Sequence, residues 1–462
     1  FRSDSPFVAL HHEVVDWVEA RRQSTAFDDS HLQVMFDQCK ALIIGLQKRG
    51  AVVGSSLNTA YLLERLSQTL ERLETLMAIF VSNRYLPRRI LLLTGCFARA
   101  AAERHSISRL WKQSSGLMAR SVTQNAGDHG EHYITRDKKE YWAMFYSAAG
   151  GGVLIALMAL FKTYLGSIID DKVWKGIAEG LNYGLGFMVI FMLHFTVATK
   201  QPAMTAARFA EAVEKTPQGK TVNVKLAQLL VDVFRSQSIA VLGNVLIAMG
   251  LAALIAFGYQ YKTGEPLMNA DQIAYQLHSI DPSAGTLWFA AIAGVWLFCS
   301  GIISGYFDNR SNYLNMRMRL TQHPLLKKLM SEKTRVKFAN YMHENYGSLI
   351  GNLCFGMLLG ITGVVGYLTH LPLDIRHVAF SSANVGYIAV SGQFTYSLLL
   401  QCIGFVLLIG LVNLIVSFSL TLWVALRSLN AEIESWWPIW HEVCQIVKKR
   451  PLSLFLPVQL DK

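Results

Sequence analysis

Three asparagines, Asn244, Asn352 and Asn413, and one histidine, His194, stand in otherwise apolar stretches of this 462-residue chain. An amide or imidazole left unbonded in hydrocarbon is costly, so these side chains are expected to face protein rather than lipid. Two chemistries fit them: amides lining a path for a substrate or ion, or hydrogen bonds that glue helices together. A second cluster lies in LPLDIRHVAFSSANVGYIAVSG (371–392), an apolar connection carrying Asp374, Arg376 and His377 with Ser381, Ser382 and Asn384. It reads as a re-entrant element with Asp374 and Arg376 paired where water is scarce, or as a plain surface loop. A third group, His129, Glu131 and His132 beside Asp128, brings ligand-type side chains together, as does His11-His12-Glu13. Neither matches His-Glu-x-x-His, so helix capping and polar packing compete with a metal site. No cofactor motif is present, and none is expected.

The elements that must position these residues are set by hydrophobicity. The chain is 52% hydrophobic and only 16% charged, against about 25% charged for a soluble domain. Its mean hydropathy is +0.29. That composition excludes disorder, collagen-like repeats and disulfide scaffolds; the six cysteines contain no Cys-x-x-Cys pair. Six segments, about 147–165, 180–199, 238–258, 286–307, 348–369 and 395–426, are long enough to cross a hydrocarbon core of roughly 30 Å as helices. The expected fold is all-α: a polytopic membrane protein of six spans in three hairpins, plus an N-terminal helical bundle.

Orientation follows from loop charge. The net charge is +11. Loop 200–237 carries six Lys/Arg and loop 308–347 carries eight, whereas the other three connections hold five in all: Lys162, Lys172, Lys175, Lys262 and Arg376. The excess places both termini and the two basic loops in the cytoplasm, and the chain in a bacterial inner membrane. Three parts result: residues 1–140, a cytoplasmic helical domain; 141–430, the transmembrane domain; and 431–462, an interfacial helix and tail rich in tryptophan. In the first part Leu66, Leu70, Leu73, Met77 and Phe80 form a narrow apolar seam at alternating spacings of four and three. Segments 8–22, 30–49 and 88–121 also read as helices. The start at Phe1 rather than Met points to an upstream portion.

Three odd-numbered spans begin alike: SAAGGGVLIALMAL (147–160), AVLGNVLIAMGLAA (240–253) and SLIGNLCFGMLLGI (348–361), with glycine at the fourth position of each. Each unit is a hairpin followed by a basic stretch, so the copies would be parallel and arranged about an approximate threefold axis. Small residues at helix contacts are the competing explanation.

NAGDHGEHYI (125–134), LHFTVATKQPAMTAA (193–207), SGIISGYFDNR (300–310) and LPLDIRHVAFSSANVG (371–386) resemble a bacterial membrane family catalogued under site-specific recombinases, the gonococcal recombinase-like family. The resemblance runs from about residue 8 to 458, and its name implies DNA rearrangement. The residues give that chemistry no ready machinery. No His-x-x-Arg box occurs, and His105 to Arg109 is one residue too long. No alternating strand pattern offers an α/β catalytic domain. The basic loops could attract phosphate, although topology already accounts for their charge. The expected activities are therefore transport, channel-like or lipid-handling; an envelope scaffold binding a protein partner through the helical domain; or recombination as the family name implies. The expected contacts are membrane lipids, with nucleic acid disfavoured and an enzyme role not indicated.

Overall fold

A computed structural model describes residues 5–23, 25, 29–53, 57–80, 86–103, 134, 135, 137–197, 205, 206, 209, 210, 212, 213, 220–391, 394–428, 433 and 435–457. The described residues are helical and include no strand. The chain forms two compact units, residues 1–121 with 312–314, and residues 122–311 with 315–462.

The first unit contains α1 (Pro6–Arg22), α2 (Asp29–Val53), α3 (Leu57–Phe80) and α4 (Leu86–Glu103). The seam on α3 is consumed internally. Leu70 and Met77 are buried with Leu10, Trp17, Leu32, Phe36, Cys39 and Ile43, and Leu66 and Leu73 pack on that cluster. Lys40 on α2 reaches Glu74 on α3 at 2.6 Å beside this contact. Pro87 stands in the first turn of α4, where its missing N–H costs nothing. The part of the expected 88–121 helix beyond Glu103 lies outside the described residues, as do His129, Glu131 and His132.

The second unit runs α5 (Lys138–Ile168), α6 (Lys172–Met192), α7 (Lys220–Thr263), α8 (Ala270–Ile280), α9 (Thr286–Tyr313), α10 (Met316–Gln322), α11 (Pro324–Leu329), α12 (Glu332–Thr369), α13 (Val378–Ala389), α14 (Tyr396–Ser428) and α15 (Trp437–Lys449). Among the described residues, five helices are long and apolar enough to cross a membrane: α5, α7, α9, α12 and α14. The expected second span is the exception. Its helix, α6, ends at Met192 rather than near 199 and begins with Lys172, Lys175 and Glu179. Leu157, Phe161, Leu246, Leu254, Leu407 and Ile415 are exposed along the long helices, whereas Trp142, Tyr146, Tyr164, Trp288 and Trp423 are exposed nearer their ends. Aromatic residues at helix ends around an apolar waist are the pattern of a lipid-facing surface.

Glycine sets the closest contacts. Gly176, Gly180 and Gly184 on α6 face Val364, Gly360, Met357 and Gly356 on α12. A Cβ at Gly356 would collide with Gly184 backbone, and one at Gly360 with Gly180 backbone, so no other residue allows this approach. Of the fourth-position glycines in the expected repeat, Gly243 presses on Ala148 and Phe145 of α5, Gly351 on Ser300 and Ser304 of α9, and Gly150 on the Phe195 ring.

α13 is the least exposed element. It is only 12 residues long, about 18 Å, too short to span a bilayer. Yet every residue from Val378 to Ile388 is buried except Asn384. It packs on α7, α14, α5 and α8, and Tyr387 Oη donates to Ala156 O of α5 at 2.8 Å. At the far end of the chain, α15 buries Ile439 and Val443 against Leu226 and Val231 of α7 and Leu422 of α14. Its Trp437 and Trp440 stay exposed.

Candidate functional site: a charged cavity walled by α5, α6, α8 and α13

The end of α5, the start of α6, α8 and the segment 374–384 enclose a cavity of ≈ 480 Å³, within the range of small-molecule sites. Each wall contributes side chains at helical spacing. α13 and its N-cap present His377, Phe380, Ser381 and Asn384, one face of a single helix. α6 presents Lys175, Glu179 and Tyr183, spaced by four, and α5 adds Lys162 and Thr163. α8 adds Asp271, Gln272, Tyr275 and Gln276.

Two ion pairs organise the wall. Lys162 Nζ lies 3.3 Å from Glu179 Oε2, with side chains 38% and 14% exposed, and sits 5.6 Å from the centre of the Tyr183 ring. Arg376 Nη1 donates to Asp374 Oδ2 at 2.7 Å and to Ile375 O at 2.8 Å, while Nε donates to Ser279 O at 2.7 Å. The Phe289 ring covers the guanidinium at 5.4 Å. Three fixed acceptors leave Arg376 little rotational freedom, with Nη2 outside this set of bonds. Ser279 O also accepts from Thr286 Oγ1 at 3.0 Å, so the α8–α9 turn helps to aim Arg376. In that turn Asp281 Oδ1 accepts from Ser283 N and Ser283 Oγ at 2.9 and 2.8 Å. These bonds favour the ionised form and hold the Asp281 carboxyl below its ordinary value. His377 forms the dry side of the floor, 1% exposed among the rings of Phe187, Phe355 and Phe380.

Of the six residues expected to act together in 371–392, Asp374, Arg376, His377, Ser381 and Asn384 line this cavity, whereas Ser382 is buried away from it with Oγ donating to Ala379 O at 2.7 Å. The asparagines lie elsewhere. Asn244 Nδ2 donates to Ala148 O of α5 at 2.5 Å and to Thr196 O at 2.9 Å. Asn413 Nδ2 donates to Ala290 O at 2.7 Å and Arg376 O at 3.0 Å, and its Oδ1 accepts from Val378 N at 3.2 Å. Each therefore ties a helix to an irregular segment beside it. Asn352 bonds within its own helix, to Ser348 O at 2.8 Å. His194 was expected inside a span; it stands past the end of α6 in an exposed turn with φ 59°. Among the described residues no group of three or more His, Cys, Asp or Glu could hold a metal ion.

Sequence reasoning missed Lys162, Lys175, Glu179, Tyr183 and α8. Lys162 and Lys175 were counted as loop charges, whereas the helices α5 and α6 carry both onto the cavity wall. The four-residue spacing of Lys175, Glu179 and Tyr183 was the available signal. A protein-family model described as site-specific recombinase matches residues 2–457. The chain thus belongs to that family. It matches no curated protein and no solved structure.

Proposed function

We propose that this member of the site-specific recombinase family is an integral membrane protein that takes a small polar solute or a lipid headgroup into the α5–α6–α8–α13 cavity, in a transport or lipid-handling role. One observation carries the reading: a cavity lined by ion pairs, amides and hydroxyls sits among long apolar helices, floored by a helix too short to cross a bilayer. Charged groups at such a place are costly to maintain without a use.

In the arrangement proposed, α6 counts as a sixth span because its glycine face is clamped by α12. The hairpins are then α5–α6, α7–α9 and α12–α14, arranged as a parallel repeat. The basic segments 200–237 and 308–347 and both termini lie on the cytoplasmic side of a bacterial inner membrane. The turn 169–171 and the segment 370–377 then lie on the opposite side, and the cavity opens outward. The test is thiol labelling in intact cells. Asn384→Cys, in a full-length chain lacking the native cysteines, should react with a membrane-impermeant maleimide from outside. Reaction only after lysis would overturn the outward opening, and no reaction in either state would overturn an accessible site.

The family description favours a second reading, site-specific recombination. Salt-dependent DNA binding with strand cleavage by the purified protein would establish it; binding alone reports only clustered Lys and Arg.

A further inference from the structure

The chemistry of the wall selects among polar ligands, and this inference rests on the cavity being a ligand site. Three cations, Lys162, Lys175 and Arg376, and three carboxylates, Glu179, Asp271 and Asp374, line it. The wall is therefore neutral overall and gives no net pull on a lone anion or a lone cation. Two pairs are already closed, Lys162–Glu179 and Arg376–Asp374. A ligand of one sign bound at either pair would have to open it and leave a partly buried charge without its counterion, which is expensive. Lys175 on α6 and Asp271 on α8 are different: neither has an ion-pair partner among the described residues. Lys175 Nζ lies beside Gly166 in the last turn of α5, and Asp271 stands in the first turn of α8. Each group thus faces a helix end of opposite partial charge.

We infer that the cavity takes a zwitterion, a small molecule or headgroup bearing an oxyanion and an ammonium, with the oxyanion toward Lys175 and the Arg376 guanidinium and the ammonium toward Asp271 and Glu179. Such a ligand adds one charge of each sign to a balanced wall and breaks neither existing pair. A neutral polyol would meet the amides but leave Lys175 and Asp271 uncompensated as it displaced their water. A free zwitterion and a zwitterionic lipid headgroup share this chemistry, and the experiment separates them.

The full chain lacking its native cysteines and carrying Asn384→Cys, in phosphatidylglycerol nanodiscs, is titrated with inorganic phosphate, ethanolamine, myo-inositol and glycerophosphoethanolamine (phosphoethanolamine below), whose phosphodiester carries one negative charge. The readouts are the thermal midpoint and protection from maleimide. Phosphoethanolamine should raise the midpoint and protect the thiol, whereas phosphate and ethanolamine alone should act about tenfold or more weakly. Lys175→Gln and Asp271→Asn remove no internal bond, so the ligand-free midpoint should hold while each weakens phosphoethanolamine about tenfold or more. Adding phosphatidylethanolamine to the disc assigns the headgroup if it competes with phosphoethanolamine, and the free zwitterion if it does not. Protection by phosphate alone at equal strength, protection by inositol without phosphoethanolamine, or indifference to both substitutions would overturn the zwitterion and leave the cavity a ligand site. A reactive thiol that no probe protects would overturn both.

Discussion

The carboxylate of Asp308 on α9 accepts the backbone N–H of Gly347, in the interior of α12, at 2.9 Å. A side chain entering another helix's backbone in this way requires that no Cβ stand at position 347, where one would meet Ser304 O and the Asp308 carboxylate itself. One turn away, Ser311 Oγ meets His343 Nδ1 at 3.1 Å and donates to His343 O at 3.2 Å, so the same stretch of α12 is held twice. Gly347→Ala should destabilise the purified protein by about 2 kcal/mol or more through overpacking. Asp308→Asn, which keeps an acceptor oxygen, should lose less than Asp308→Ala. Denaturation in one fixed detergent orders the three; an unchanged Gly347→Ala midpoint would remove the contact from the account.

The α6–α12 contact makes a sharper demand. Gly356→Leu or Gly360→Leu places a side chain inside the partner backbone. The helices must separate, and folded yield should fall to a small fraction of the parent, whereas Gly363→Leu, with open space around its Cβ position, should be tolerated. Size-exclusion profiles of detergent extracts report this directly.

The asparagines should divide by what they cross. Asn413→Leu removes bonds to two other segments and strands the Val378 N–H, at a cost of about 2 kcal/mol. Asn352→Leu gives up a bond within its own helix and should cost under about 1 kcal/mol. Equal losses would mean that Asn352 also holds the bundle together.

Acid should loosen the α8–α9 turn. The Asp281 carboxyl is held below its ordinary value by Ser283, so its contribution is complete above the unfolded carboxylate value and fades as pH falls through the lower folded one. The protection of the Ser283 amide, its exchange rate taken relative to the intrinsic rate at each pH, should fall toward low pH in the parent. In Asp281→Ala, which removes the acceptor, protection should already be low at neutral pH and show no such titration.

Much of this molecule is readable from residue types. Runs of apolar residues locate α5, α7, α9, α12 and α14, and the polar residues in 371–392 mark the cavity wall because polarity inside an apolar connection needs a destination. The other wall is hidden by a counting habit. Lys162, Lys175 and Arg376 are three of the five basic residues assigned to sparsely charged connections, and all three line the cavity. Charge near the end of an apolar run reads as loop because composition carries no direction, while the continuation of α5 to Ile168 turns Lys162 inward. The shared glycine-asparagine pair was equally ambiguous. Gly243-Asn244 and Gly351-Asn352 match in sequence, yet one amide bridges to α5 and the other stays on its own helix. Sequence identity fixes the donor and leaves the acceptor to packing.

The glycine-lined face of α6 has a consequence for synthesis. Its partner α12 leaves the ribosome well over a hundred residues later, on the order of ten seconds at ordinary elongation rates. In the six-span arrangement proposed above, a charged, marginally greasy segment then waits beside the translocation machinery with its grooves empty. Newly made chains arrested before α12 should be a preferred substrate of membrane quality-control proteases, and completion of α12 should end that vulnerability.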